Sequence, residues 1–319
     1  MRTVDLAVAL MSPSERGPFV TRDWETTFRL WSKPSSETEQ AKQENAERMI
    51  HSAISQSMAL AHRTIQVFAQ GSYRNNTNVR QDSDVDICVR CMDVFLYDLP
   101  ADLSKEQAAI FDATYTYAQF KNELEEALVA KFGRAGVTRG NKAFDVHENT
   151  YRVDADVVAC FEHRRYTGTT PAGQPRYLSG TELRPDSGGR VINWPEQHYD
   201  NGVAKNKATG GRFKNITRVA KRLRNEMASN GIAAAKPIPS YLIECLVWNV
   251  PDAGFGHNTY TDDVRHVLAH TFNETMKDET CHEWVEVNEL KYLFWPSQAW
   301  TRSQAHAFLG AAWDYVGFE

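Results

Sequence analysis

The chain has no apolar run long enough to cross a bilayer, and its opening stretch, Leu6 to Met11 after Arg2 and Asp5, is too short and too acidic for a secretion signal. A protein that stays in the cytoplasm and off the membrane is expected. Cysteine is sparse: five residues, Cys88, Cys91, Cys160, Cys245 and Cys281, odd in number and scattered, which fits reduced thiols rather than a disulfide framework. Cys88-x-x-Cys91 has no second pair to complete a zinc site, and along a strand its sulfurs point to opposite faces. Internal repeats and low-complexity tracts are absent. A broad basic character is also missing: the net charge is −5, so no stable grip on long nucleic acid is expected, whereas a small nucleotide needs only a local cationic cluster. What remains is an ordinary globular composition, 319 residues with 42% hydrophobic content, enough to bury one large core or two intimate ones.

The most informative residues are Asp84 and Asp86 in Ser83-Asp84-Val85-Asp86-Ile87. Successive strand residues face opposite ways, so the two carboxylates share one face while Val85, Ile87 and Val89 bury on the other. Carboxylates held that closely repel one another unless a cation lies between them. Hard oxygen donors suit Mg²⁺ or Mn²⁺ carrying substrate phosphates. Upstream, the β-rich stretch Thr64 to Gln70 runs into Gly71-Ser72, where a glycine lets the backbone approach a phosphate and the serine adds a hydroxyl and an N–H. A turn glycine before a solvated acidic strand is the plainer reading of an isolated Asp-x-Asp.

Around this motif the pattern predicts a packing helix over Thr21 to Ser32 and a longer N-terminal helix from Ser36 to about His62, started by Ser36-x-x-Glu39 as a capping box. Helical stretches follow near Ser104 to Asp112 and from Thr114 to Phe132, the latter closed by Gly133. Lys142 to His147 and Tyr151 to Phe161 read as a hairpin across Glu148-Asn149-Thr150. The second strand places Asp154 or Asp156 as a third carboxylate. Residues 167 to 211 lack periodicity and read as a long functional loop. Beyond them the chain is mostly helical, ending in a helix over about Arg302 to Tyr315. The expected division is therefore 1–210 and 211–319.

Within the second part, a helix over Phe213 to Ser229 carries Lys214, Arg218, Lys221 and Arg222 on one side and Ile216, Val219, Leu223 and Met227 on the other. A solvated face is the plainer reading of such a row. Beside a metal site it becomes a triphosphate clamp. Pro239-Ser240-Tyr241 opens the next helix, with Ser240 as N-cap and Tyr241 either a core residue or a platform for a nucleobase.

Gly71-Ser72, eleven intervening residues, Asp84-Val85-Asp86-Ile87, then Val153-Asp154-Ala155-Asp156-Val157-Val158, the Lys221 helix and Ser240-Tyr241 occur in the order found in DNA polymerase beta-like nucleotidyltransferases. More narrowly the chain resembles the bacterial cyclic GMP-AMP synthase/DncV-like enzymes, an impression strengthened by Asn193-Trp194-Pro195-Glu196-Gln197-His198 and Phe161 to Tyr166. The resemblance implies an α+β fold: a polymerase beta-like core of mixed sheet and helices, a long N-terminal spine helix and a C-terminal helical bundle. Asp84, Asp86 and Asp156 then hold two Mg²⁺ ions, with Asp154 the fallback for the third. Asp156 also helps deprotonate the attacking hydroxyl. Gly71 and Ser72 hold phosphate, Lys221 with Arg218 meets the triphosphate, Ser240 binds phosphate and Tyr241 stacks on a base. Two departures are Gln70 before Gly71 and Ala159 where a proline is common.

The implied activity is synthesis of a cyclic oligonucleotide second messenger from ATP, GTP, UTP or CTP with loss of pyrophosphate, by a monomer serving antiphage defence through a separate effector. Transfer of a nucleotide to tRNA, a protein or a small molecule is the alternative. Cys281-His282 stands alone, with no His/Cys zinc insertion, so activation by double-stranded DNA is not expected.

Overall fold

The structure, a computed structural model, describes residues 22–79, 85–147 and 154–319, except the side chains of 37–39 and 42. Helix α1 (Trp24–Trp31) starts where the Asp23 carboxylate accepts the Thr26 amide. Helix α2 (Glu37–Gln56) turns Ala46, Ile50, Ala53 and Ile54 inward and ends at Gln56, short of the expected His62, because residues 57–63 form turns instead. The expected Ser36 capping box depends on Glu39, whose side chain lies outside the described set.

Strand β1 (Ile65–Ala69) leads into the one-turn helix α3 (Gly71–Arg74) and then β2 (Val85–Asp98). No helix forms over 104–112, which is a series of turns. Helix α4 (Tyr117–Phe132) has a Thr116/Gln119 capping box and ends at Gly133 as expected. After β3 (Val137–Arg139) and β4 (Phe144–Val146), the long β5 (Ala155–Thr169) pairs antiparallel with β4, as the hairpin reading requires; its connecting residues 148–153 lie outside the described set.

The expected loop over 167–211 is corrected. It contains β6 (Pro175–Leu183), β7 (Val191–Asn193) and helix α5 (Pro195–Ala208). Gly180 hid β6 from the sequence: a Cβ there would lie 2.6 Å from the Asn193 carbonyl oxygen and 2.7 Å from the Trp194 ring, so the glycine permits two backbones to approach. Helix α5 has no apolar stripe, and only Pro195 at its first position announces it.

These strands form one mixed sheet in the order β1-β2-β5-β4-β3, with β6 and β7 continuing from the far half of β5. β2 and β5 are parallel and the other pairs antiparallel. Apolar residues of β2, β4 and β5 pack with α2 and α4 into the first core.

Helices α6 (Arg212–Ser229), α7 (Ser240–Trp248), α8 (Tyr260–Thr275), α9 (Asp278–Cys281) and α10 (Arg302–Val316) follow. A second core gathers Ile216, Val219, Leu223, Leu246, Phe308 and their neighbours, and includes Phe28 of α1. The first helix therefore packs with the C-terminal helices rather than with the sheet. All five cysteines are buried and free. Among the described residues no helix is long and apolar enough to cross a membrane.

Candidate active site

Alternation on β2 and β5 starts cleanly: Val85, Ile87, Ala155 and Val157 are buried, while Asp86 and Asp156 are half-buried on the opposite face. Because the parallel register pairs Asp86 with Asp156, the two carboxylates stand side by side although 70 residues separate them in sequence. Asp84 lies outside the described residues. Asp154 stands two residues before Asp156, one strand step further along the same face.

The turn after β1 closes over Asp86. Gln70 donates its amide to the Asp86 carbonyl at 2.8 Å, which fixes where α3 begins. Gly71 has φ +66°, and a Cβ on it would fall 2.2 Å from Asp86 Oδ2, so glycine is required by both conformation and space. Gly71→Ala is accordingly expected to displace the Asp86 carboxylate; misplacement by about 1 Å costs on the order of 10²-fold in rate, to be read from initial velocities beside an unchanged circular-dichroism spectrum. Hard oxygen donors on adjacent strands, with the approach kept open by a glycine, fit a divalent cation.

Two clefts meet here. The first, about 220 Å³, is lined by Gly71, Arg74, Asp86, Asn193, His198 and Tyr241 among others. The second, about 590 Å³, shares Asn193 and Tyr241 with it and extends past Lys142 and Arg190 to Trp295. Tyr241 donates its hydroxyl to Glu286 Oε2 at 2.8 Å, and its ring lies 5.7 Å from that of His198. Burial, with Cys245 and Glu286 alongside, pushes its phenol well above the ordinary value, so it stays neutral. Ser240 is the first residue of α7 rather than its cap: Pro239 occupies that place with no side-chain cap, and the Ser240 hydroxyl accepts from Arg224.

The open cationic row expected on α6 is corrected. Arg218 and Lys221 are only 3% and 1% exposed, because the helix buries two sides rather than one. Arg218 donates to the carbonyls of Ser32 and Asn76, and burial, with Arg222 alongside, draws its guanidinium down to about 10. Lys221 Nζ donates to Glu244 Oε2 at 2.8 Å and to Thr77 Oγ1 at 3.1 Å. Thr77 in turn donates its hydroxyl to Glu244 Oε2 at 2.6 Å and its amide to the Ser72 carbonyl at 2.8 Å. His198 Nε2 lies 3.0 Å from Glu244 Oε1. Glu244 thus joins the phosphate-turn candidate, the Asn193–His198 stretch and the helical core. Burial would raise its carboxyl, but Lys221 and His198 outweigh that and hold it far below the usual range.

Sequence reasoning missed Arg74, Thr77 and Glu244. A signal for Glu244 was present, since a carboxylate inside the apolar run Leu242 to Val247 must find a buried partner.

The C-terminal part matches a family model, the cGAS/DncV-like nucleotidyltransferase C-terminal helical domain, over residues 200–317. The chain is 52% identical over 297 residues to the cyclic dipyrimidine nucleotide synthase CdnE of Legionella pneumophila, covering 92% of this chain and 98% of that one. It is 42% identical to the cyclic dipyrimidine nucleotide synthase CdnE of Cecembia lonarensis, covering 90% and 96%. The solved Rhodothermus marinus CdnE c-UMP-AMP synthase with Apcpp and Upnpp superimposes with a TM-score of 0.80 at 31% identity, covering 92% of this chain and 97% of that one. Identity of this order across nearly the whole length leaves one conclusion: the chain belongs to the cGAS/DncV-like nucleotidyltransferases, among the CdnE cyclic-nucleotide synthases.

Proposed function

We propose that this enzyme joins two pyrimidine nucleoside triphosphates, UTP or CTP, into a cyclic dinucleotide. The observation that carries the chemistry is the side-by-side placement of Asp86 and Asp156 beneath the Gly71 turn, at the mouth of a cleft continuous with a second one. The base choice draws on the dipyrimidine names of the two relatives, 52% and 42% identical.

In this reading Asp84, Asp86 and Asp156 hold two Mg²⁺ ions, with Mn²⁺ able to replace them. When bound, such ions lower the pKa of the attacking ribose hydroxyl and neutralise charge on the leaving pyrophosphate. Asp156 stands beside the hydroxyl and takes its proton. Gly71 and Ser72 present the α3 turn to the phosphates, and Ser240 offers a hydroxyl to them. Tyr241, at the junction of the two clefts and steadied by Glu286, presents its ring to a base. Lys221 and Arg218 serve by holding the 71–77 turn in place. The division at 210 belongs to the same reading, with α1 joined to the second unit. So do a monomeric, cytoplasmic enzyme, a separate effector for the product and a role in antiphage defence, all of which rest on the family resemblance.

The test is incubation with each triphosphate singly and in pairs, with mass spectrometry of phosphatase-resistant products. UTP or CTP is expected to give a cyclic dinucleotide and pyrophosphate, and purines about tenfold less, since one missing polar contact costs on the order of 1–2 kcal/mol. A purine-only product overturns the base choice. No product from triphosphates alone overturns cyclisation in favour of an external acceptor.

A further inference from the structure

The open sheet face carries more metal-ligating side chains than the transfer reaction uses. Strand β4 alternates with β5: Phe144 and Val146 are buried, and Asp145 lies opposite Asp156 on the half-exposed side. One step on, the same register sets His147 across from Asp154. Ligand atoms of Asp145, His147 and Asp154 all lie within 4.8 Å of one another. Oxygen and nitrogen ligands bound at about 2.0–2.2 Å lie no more than about 4.4 Å apart, so only a few tenths of an ångström of side-chain adjustment would close a shell.

A second observation concerns the imidazole. His147 Nε2 lies 3.1 Å from Thr138 Oγ1 on β3, and Nδ1 lies 3.4 Å from Asp145 Oδ1. A ligating histidine commonly donates its far N–H to such an oxygen, which fixes the tautomer and leaves the other nitrogen's lone pair free to bind. His147 and Asp145 are 45% and 48% exposed, so an ion can enter from solvent. One imidazole and two carboxylates favour a borderline cation over Mg²⁺, which prefers oxygen alone.

We infer that Asp145, His147 and Asp154 form a second metal site, separate from the catalytic carboxylates, that takes a transition cation of the Mn²⁺ or Zn²⁺ class and clamps β4 to β5 beside Asp156. Asp154, the fallback third catalytic carboxylate, is assigned here instead.

The probe is Mn²⁺, counted by loss of the free-ion electron paramagnetic resonance signal in the absence of nucleotide. In a chain carrying Asp84→Asn, Asp86→Asn and Asp156→Asn, one Mn²⁺ is expected to remain bound, and excess Mg²⁺ to leave it in place. Adding His147→Ala should remove it, and Thr138→Val should weaken it about 10-fold or more. The same count in the otherwise unaltered chain, with and without His147→Ala, gives a difference of one ion should the triple variant fold poorly. No bound ion in either background, or binding indifferent to His147→Ala, overturns the site. Nucleotide joining is judged from product alone, so the two readings fail separately.

Discussion

Asp86→Asn or Asp156→Asn is expected to lower product formation by on the order of 10³-fold while leaving the fold intact. Each replacement keeps the side chain's shape and removes one negative charge from the proposed divalent-ion site, whose transition-state stabilisation is worth several kcal/mol, and each 1.36 kcal/mol is a factor of ten. Stability should change little, or rise, because both side chains are half-buried beside a carboxylate of the same sign on the adjoining strand. Product yield by chromatography and a thermal melt on the same samples test this. If Asp156→Asn keeps wild-type activity while Asp154→Asn loses it, the third catalytic carboxylate is Asp154.

The second large effect is on stability. Glu244→Ala leaves the Lys221 ammonium buried with, among the described residues, only Thr77 Oγ1 as a hydrogen-bond partner, and breaking a buried pair by removing one partner costs about 3–5 kcal/mol. At about 2–4 °C per kcal/mol for larger domains, the melting temperature should fall by on the order of 10 °C. Glu244→Leu combined with Lys221→Met, which removes both charges, should recover most of the loss. The pH dependence follows from the direction of the shift. A carboxyl held below its unfolded value contributes stability that is present above about pH 4.3 and lost only as pH falls through the lower, folded value. The deficit of Glu244→Ala should therefore persist from pH 8 down to about pH 5 in urea melts. If Lys221→Met alone weakens nucleotide binding without lowering the melting temperature, Lys221 is a ligand contact and not a strut.

Much of this site was legible in the sequence because it rests on strand alternation. The period of two placed Asp86 and Asp156 opposite buried neighbours, and the spacing from Gly71-Ser72 marked the turn. That these strands lie adjacent and parallel is a tertiary fact no local pattern contains. The α6 row was misread because helical periodicity separates apolar from charged sides but does not say whether the charged side is also covered; Arg218 and Lys221 are buried by partners as far away as Ser32 and Glu244. Strand β6 escaped because Gly180, needed where Trp194 crosses, lowers the β signal that would have revealed it. Asp145 was invisible as a neighbour of Asp156 until the register of a three-residue strand was known.

β5 runs unbroken from Ala155 to Thr169, and its first residues alternate between greasy interior and open cleft. Shifting that strand by a single position would drive a carboxylate into hydrocarbon and lift valine toward the nucleotide, an error of parity that the whole interior resists. Insertions in the irregular stretch over 99–116, between β2 and α4, change only a distance along the chain. Odd-numbered insertions inside the strand invert the site, so the oily underside of the sheet acts as the ruler for the chemistry above it.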